Sequence, residues 1–187
     1  MHHTKGGNLF GLGSLTEKKL IQRCQKGDRS AFNTLYDIYS GKMLGVCFRY
    51  VNDRETARDL MHDGFITVFT KIGDYRGEGS FEGWMRRIFV TTALGYLRRN
   101  GNLSAMRNTD DLYGLTDGDH SAIEKMSADE LLKTIGELPD GYRTVLNLYA
   151  VEGYSHKEIA EMLKINEGTS RSQYARAKSL LYKKINE

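Results

Sequence analysis

The stretch GYSHKEIAEMLKINEGTSRSQYARAKSLL, residues 153–181, decides the fold of the C-terminal part of the chain. Ser155 and Glu158 stand three residues apart, which is the sequence pattern of a capping box and marks the start of a helix. A short turn, residues 164–166, ends that helix, and a second helix begins at Glu167. Two helices joined by so short a turn predict a helix-turn-helix unit.

The second helix of this unit has a polar and cationic outward face. The residues on or beside that face are Arg171, Ser172, Ala175, Arg176 and Lys178. Arginine can donate two hydrogen bonds to a guanine, serine can reach a base edge or a phosphate, and lysine attracts the phosphate backbone. The pattern favours DNA binding in a major groove. The alternative is a solvated face in a protein-binding module.

Composition indicates a helical protein with a core of modest size. Of the 187 residues, 40% are hydrophobic and 27% are charged, and a single proline leaves long helices uninterrupted. A net charge of +3 is too small to indicate nucleic acid by itself. No apolar run reaches the roughly 20 residues of a membrane span, so we expect a cytoplasmic protein with no direct membrane insertion. Two isolated cysteines predict neither a disulfide framework nor a zinc site.

The spacing of apolar residues divides the chain into two helical modules. Residues 15–100 show helical periodicity with three breaks, which predicts about four helices. Residues 101–127 are acidic, contain glycines and show little periodicity, which predicts a flexible linker. Residues 128–187 are periodic again and predict four shorter helices, including the helix-turn-helix. We therefore expect an all-α fold of two small modules, preceded by a flexible N-terminus at residues 1–14.

The third predicted helix of the N-terminal module has a polar face beside a regular apolar stripe. The stripe consists of Ala57, Leu60, Met61, Phe65, Val68, Phe69 and Ile72, and the polar face includes Asp59, His62 and Asp63. The stripe predicts a buried helix side, which leaves the acidic face exposed.

Two features that follow this helix favour contact with a nucleic-acid strand. The polar loop at residues 73–81 carries Tyr75, Arg76, Ser80 and Phe81, and its two exposed-looking aromatic rings are suited to holding an unstacked base. The next helix has a predicted buried stripe of Trp84, Met85, Ile88, Phe89, Thr92 and Tyr96, with Arg87, Thr91 and Arg98 on the opposite side. Arginines beside such a loop would follow a nucleic-acid backbone. A plain solvated face is the alternative for this helix.

These segments resemble a known family, the extracytoplasmic-function (ECF) group of bacterial sigma factors. DLMHDGF at residues 59–65 and FEGWMRRI at residues 81–88 are similar to its region-two module. LP at 138–139, EGYS at 152–155, EIA at 158–160, EGTSRS at 167–172 and RA at 176–177 are similar to its region-four module. The resemblance implies a factor that directs core RNA polymerase to specific promoters and acts in transcription initiation.

The resemblance also implies roles for individual residues. Asp59, His62 and Asp63 would dock core RNA polymerase, and the loop with Tyr75, Arg76, Ser80 and Phe81 would capture a base flipped out of the −10 element. Arg87, Thr91 and Arg98 would line the path of the melted strand, while Arg171, Ser172, Ala175 and Arg176, with Lys178 on the backbone, would recognise the −35 element. A further implied partner is an anti-sigma factor.

Three residues of the helix-turn-helix depart from the family's usual pattern. Lys164 stands where glycine is common, so either the backbone there is left-handed at a cost of about 1 kcal/mol or the turn differs. Ser170 replaces a usual apolar residue, and Gln173 replaces a usual basic one. We expect the last two to retune promoter choice.

The sequence predicts a protein that is not an enzyme. It contains no HExxH motif, no Walker loop and no nucleophile with an evident base, so we expect no catalytic residues, cofactor or metal. Two other functions stay open on the residues alone. One is a stand-alone helix-turn-helix regulator that binds promoter duplex without polymerase, and the other is an adaptor that binds a protein and no DNA.

Overall fold

The computed structural model describes residues 14–101 and 127–186, and these ranges are almost entirely helical. The first range contains α1 (Ser14–Gln25), α2 (Arg29–Val51), α3 (Arg54–Lys71), a 3-10 turn (Ile72–Asp74) and α4 (Phe81–Arg99). The second contains α5 (Ala128–Gly136), α6 (Asp140–Leu146), a π-helical turn (Asn147–Val151), α7 (His156–Leu163) and α8 (Glu167–Asn186). The all-α prediction is confirmed. The N-terminal segment and the linker lie almost wholly outside the described residues.

Side-chain caps set the helix starts that position the sites. The Asp28 carboxylate accepts hydrogen bonds from the Ser30 and Ala31 amides at the start of α2, and Asp53 accepts one from Thr56 at the start of α3. The predicted capping box at Ser155 is present, because its hydroxyl accepts from the Glu158 amide while the Glu158 carboxylate accepts from the Ser155 amide. Each cap satisfies amides that a first helical turn leaves unpaired.

The N-terminal core forms where α2, α3 and α4 pack together. The helices α3 and α4 approach each other closely at Gly64, where an added Cβ would stand 2.3 Å from the Phe89 ring. The predicted stripe of α3 is confirmed, whereas that of α4 is rotated from the prediction. The fully buried positions of α4 are Phe81, Met85, Phe89, Val90, Ala93, Leu94 and Leu97. Trp84, Ile88, Thr92 and Tyr96 are half-buried at the edge of the core.

The turn of the helix-turn-helix is left-handed at Lys164, whose φ is 56° and ψ is 46°. The prediction of a left-handed backbone at Lys164 is therefore correct. We expected Ser170 and Gln173 to retune promoter choice, and this expectation is corrected. Both residues are buried, at 0% and 2% exposure, and neither belongs to the outward face of α8. Ser170 shares a hydrogen bond of 2.9 Å with Nδ1 of buried His156, which explains a polar residue at this core position.

The two modules are in direct contact, which the sequence did not indicate. One continuous cluster of buried apolar side chains includes Tyr50 and Val46 from the N-terminal module with Val145 and Leu148 from the C-terminal module. A smaller cluster at Leu138, Leu146 and Ala177 is confined to the C-terminal module. In the described part of the chain, no helix combines the length and the apolar character that crossing a bilayer requires.

Candidate nucleic-acid interface

The outward face of α8 carries the residues that the sequence placed against the −35 element. Asn166 caps this helix by accepting a hydrogen bond of 2.6 Å from the Thr169 amide. Arg171 is exposed and pairs with Glu167 one turn earlier at 2.5 Å, while Ser172, Ala175 and Arg176 are half-exposed. Positions 171, 172, 175 and 176 lie on one side of a helix with 3.6 residues per turn.

Lys178 lies at the edge of this face rather than in its centre. Its ammonium nitrogen stands 5.7 Å above the Tyr174 ring. The Tyr174 ring in turn lies 4.6 Å from Tyr149 and 5.8 Å from His156, so an aromatic cluster supports α8 from behind. Burial and then the nearby charge of Arg171 lower the pKa of His156, which favours a neutral imidazole in this cluster.

The loop before α4 is held against α1 by one side chain. The Gln25 amide donates hydrogen bonds to the Ile72 and Tyr75 carbonyls at 3.1 and 3.0 Å, and the Tyr75 hydroxyl donates to the Gly79 carbonyl at 2.9 Å. A cavity of about 380 Å³ lies between the loop and α1. It is lined by Glu17, Lys18, Ile21, Gln22, Gln25, Tyr75, Arg76 and Gly77.

Phe81 and Ser80 differ from the other predicted loop residues. Phe81 is the first residue of α4 and is 1% exposed, so the expectation of an exposed ring there is wrong. Its ring lies 5.1 Å from Tyr75 and 5.5 Å from Trp84, because the start of an amphipathic helix turns it into the core. Ser80 caps α4, with its hydroxyl oxygen accepting from the Gly83 amide at 3.0 Å.

A groove of about 420 Å³ runs between α3 and α4. It is lined by Asp63, Thr67, Lys71, Trp84, Arg87, Ile88, Thr91, Thr92, Gly95 and Arg99. The structure thus brings together two of the three predicted strand-contacting residues, Arg87 and Thr91, while Arg98 lies outside the groove. The sequence did not assign Lys71 to this path, and it placed Arg99 only at the flank of the cationic face of α4. Steps of three or four residues along α4 lead from Trp84 to Thr91 and then to Arg99, so helical spacing could have placed Arg99 beside the groove.

The three residues predicted to dock polymerase form one exposed face of α3. Asp59, His62 and Asp63 are all exposed, and the His62 ring lies parallel to Tyr36 at a centroid distance of 6.4 Å. The next residue on this face, Ile66, is 64% exposed. Ile66 therefore adds an exposed apolar side chain at one end of this acidic face.

The C-terminal module lies close to the arginines of α4. Glu152 is 3.6 Å from Arg86, and Arg87 contributes to the lowered pKa of Glu158, a shift caused chiefly by the hydrogen bonds from Ser155. Carboxylates of one module therefore face the cationic surface of the other.

Comparison with known proteins assigns the family. The profile described as Sigma-70 region 2 matches residues 35–103, and the profile described as Sigma-70, region 4 matches residues 128–181. The ECF RNA polymerase sigma-E factor of Haemophilus influenzae is 35% identical over 182 residues, which cover 91% of this chain and 96% of that protein. The chain belongs to the ECF sigma factors. The RNA polymerase sigma-H factor of Pseudomonas aeruginosa is 32% identical over 90% of this chain and 93% of its own.

Two solved structures have a similar fold. The structure of CnrH in complex with the cytosolic domain of CnrY matches with a TM-score of 0.50 and 18% identity, over 90% of this chain and 96% of that one. The sigma factor RpoE in complex with the anti-sigma factor NepR from Bartonella quintana matches with a TM-score of 0.50 and 16% identity, over 83% of this chain and 96% of that one. These two likenesses support the fold.

Family membership establishes the general function. This ECF sigma factor directs RNA polymerase to promoters in transcription initiation. Neither the stand-alone regulator nor the adaptor is favoured, because the region-2 and region-4 matches occur in one chain.

Proposed function

We propose that the sigma factor reads a promoter at two points, with α8 in the major groove of the −35 element and the α3–α4 groove on the melted −10 strand. The observation that carries the proposal is the outward face of α8, where Arg171, Ser172 and Arg176 stand on the second helix of a capped helix-turn-helix. Arginine at such a position can donate two hydrogen bonds to the O6 and N7 atoms of guanine. Arg171 would exchange its Glu167 partner for DNA.

The −10 element would be held by the loop and the groove of the N-terminal module. A base unstacked from the duplex would enter the cavity beside Tyr75 and Arg76, where an aromatic ring and a guanidinium are available for stacking. Phe81 would support the Tyr75 ring from the core and would not contact the base. The strand would continue along Arg87, Thr91 and Arg99, with Arg98 at its margin.

Core RNA polymerase would dock on the exposed face of α3. Asp59 and Asp63 supply negative charge and Ile66 an apolar contact, which together suit a basic partner surface. The sigma factor would contribute binding energy while the polymerase performs the chemistry, so we propose no catalytic role for this chain. We place its action in the cytoplasm with the polymerase, and we propose an anti-sigma factor as its regulatory partner.

The decisive experiment adds the protein to core bacterial RNA polymerase and maps transcript starts across a genome. We expect new start sites that share a −35 and a −10 sequence, and the absence of new starts would refute the proposed function. Arg176→Ala is expected to cost about 1–3 kcal/mol of −35 recognition if the contact is bidentate. Lys157→Ala, which removes a positive charge from an exposed position of α7, is the matched control and should leave the −35 preference unchanged.

A stand-alone regulator would give a different result in the same assay. It would protect promoter duplex from nuclease digestion without polymerase. The sigma factor is expected to protect both elements only when core polymerase is present.

A further inference from the structure

The carboxylate of Glu17 lies at the cavity between α1 and the loop before α4. Glu17 belongs to the first turn of α1, is half-buried and lines the cavity together with Tyr75 and Arg76. Burial and then the nearby charge of Glu17 raise the pKa of the Tyr75 hydroxyl, so the carboxylate stands close to that side chain. The cavity therefore presents a group that only accepts hydrogen bonds beside the aromatic ring on which a base would stack.

A buried tyrosine fixes the Glu17 carboxylate. Tyr39 of α2 is 6% exposed, and its hydroxyl donates to Oε1 of Glu17 at 2.5 Å. The Tyr39 ring packs edge-to-face on Phe81 at a centroid distance of 6.0 Å, and the Phe81 ring lies 5.1 Å from that of Tyr75. One set of core side chains thus positions both the carboxylate and the Tyr75 ring. Groups held in place before binding lose little entropy when a base enters.

Cations that line the same cavity offset the charge of Glu17. A carboxylate by itself would repel the phosphates of a DNA strand. Lys18 and Arg76 are both exposed and supply two positive charges against this one negative charge. The strand backbone can therefore approach, and the carboxylate is left to interact with the base.

A carboxylate distinguishes bases by the groups on their Watson–Crick edges. Adenine, cytosine and guanine each carry an exocyclic amino group that can donate to it, as cytosine N4 does to glutamate in a DNA groove. Thymine has no amino group, and two carbonyl oxygens flank its single N–H donor. Those oxygens would face the carboxylate and repel it, because both groups only accept. Tyr39 does not block the contact, since the two carboxylate oxygens together offer about four acceptor sites.

We propose that Glu17 is a specificity-determining residue for the −10 element: it accepts a hydrogen bond from the exocyclic amino group of the unstacked base, and the cavity rejects thymine. Tyr39 is the positioning residue that holds the carboxylate in place. This inference rests on the proposed function, because it requires that a base enters this cavity. A hydrogen bond to a charged group is strong enough to change base preference by roughly 10- to 100-fold.

Selection from a pool of forked promoter fragments measures the base preference directly. Each fragment has a double-stranded −35 element and spacer, taken from a promoter found by start-site mapping, and a randomised, single-stranded −10 element. Fragments bound by the full-length sigma factor with core RNA polymerase are recovered and sequenced. Because no base pairs have to be broken, recovery reports the contacts to the unpaired strand. We expect one position at which thymine is recovered roughly 10- to 100-fold less than the preferred amino-bearing base.

Two variants test the two residues separately. Glu17→Gln replaces the charged acceptor by an amide that can also donate, and Tyr39→Phe keeps the charge but removes the hydroxyl that holds it. Each should reduce the discrimination against thymine at that position roughly tenfold. Asp37→Asn makes the same carboxylate-to-amide change at an exposed position of α2 and should leave the preference unchanged. A defect in folding would instead lower the recovery of all sequences equally.

A base analogue tests the amino group by itself. At the discriminating position, the preferred base is replaced by an analogue without that group, which is purine for adenine, hypoxanthine for guanine or pyrimidin-2-one for cytosine. The wild type should bind this fragment roughly tenfold more weakly than the unmodified one. Glu17→Gln should bind the two fragments with similar affinity.

The role of Glu17 is overturned if the wild type accepts thymine at every −10 position, if Glu17→Gln keeps the wild-type preference, or if loss of the amino group weakens both proteins equally. Tyr75→Ala separates this inference from the function on which it rests. If Tyr75→Ala loses binding to the forked fragments while Glu17→Gln keeps the wild-type preference, only the role of Glu17 is refuted. If Tyr75→Ala binds the fragments as well as the wild type does, the proposed entry of a base into the cavity fails as well.

Discussion

Gly64→Ala is expected to destabilise the N-terminal module, although alanine normally strengthens a helix. The added Cβ would stand 2.3, 2.5 and 2.9 Å from three carbons of the Phe89 ring, where ordinary contacts are 3.4 Å or longer. Phe89 is fully buried and its ring lies 5.2 Å from Phe65, so it has little freedom to withdraw. One side of the α3–α4 groove depends on this approach.

The magnitude follows from two opposing effects. Overpacking a core by one methyl group costs about 1–3 kcal/mol, and an overlap of about 1 Å with three ring atoms belongs at the upper end. Replacing glycine by alanine inside a helix stabilises the folded protein by about 1 kcal/mol. The net loss should be about 2 kcal/mol, which lowers the melting temperature of a chain of this size by about 4–8 °C.

Thermal unfolding followed by circular dichroism measures this loss. Gly45→Ala in α2 is the matched control, since its Cβ would meet nothing within 4 Å, and it should stabilise by about 0.5–1 kcal/mol. Adding Phe89→Leu to Gly64→Ala should recover part of the loss by making room. A melting temperature for Gly64→Ala at or above that of the wild type would refute the reasoning.

Two further predictions concern the helix-turn-helix. Lys164→Gly should raise the free energy of unfolding in urea by about 0.5–1 kcal/mol, because glycine adopts the left-handed conformation without strain. Glu161→Gly inside α7 should instead lower the free energy of unfolding by about 1 kcal/mol. If both substitutions change that free energy equally, the left-handed backbone at Lys164 is not the source of strain. Since burial lowers the pKa of His156 in the folded protein, the unfolded chain takes up its proton first, and stability is lost as pH falls below 6.5. The difference between the melting temperatures at about pH 7.5 and pH 5.5 should therefore be smaller in His156→Gln than in the wild type. If His156→Gln leaves this difference unchanged and His62→Gln reduces it, His156 is excluded as its source.

Much of the candidate site followed from local patterns. The capping box at Ser155 and the helical spacing of α8 predicted the outward face of that helix, since both depend on neighbours within four residues. The α4 prediction was less accurate because its apolar residues cover more than one face. The sequence placed Phe81 in the exposed loop and Trp84 in the buried stripe. Only the packing of α4 against α2 and α3 decided that Phe81 is buried and that Trp84 lies at the groove.

The amino-acid sequence by itself determined the helices, their caps and the family, because these depend on short-range periodicity and on motifs that survive at 30–35% identity. The tertiary structure alone decided which polar residues are buried. Gln173 and Ser170 look like surface substitutions in the sequence, yet they lie in the core of the C-terminal module. The tertiary structure alone also revealed that Arg143 and Glu152 bind residues of the N-terminal module that lie 93 and 103 positions earlier in the chain. No local pattern encodes such a contact, because its donors and acceptors meet only after both modules have folded.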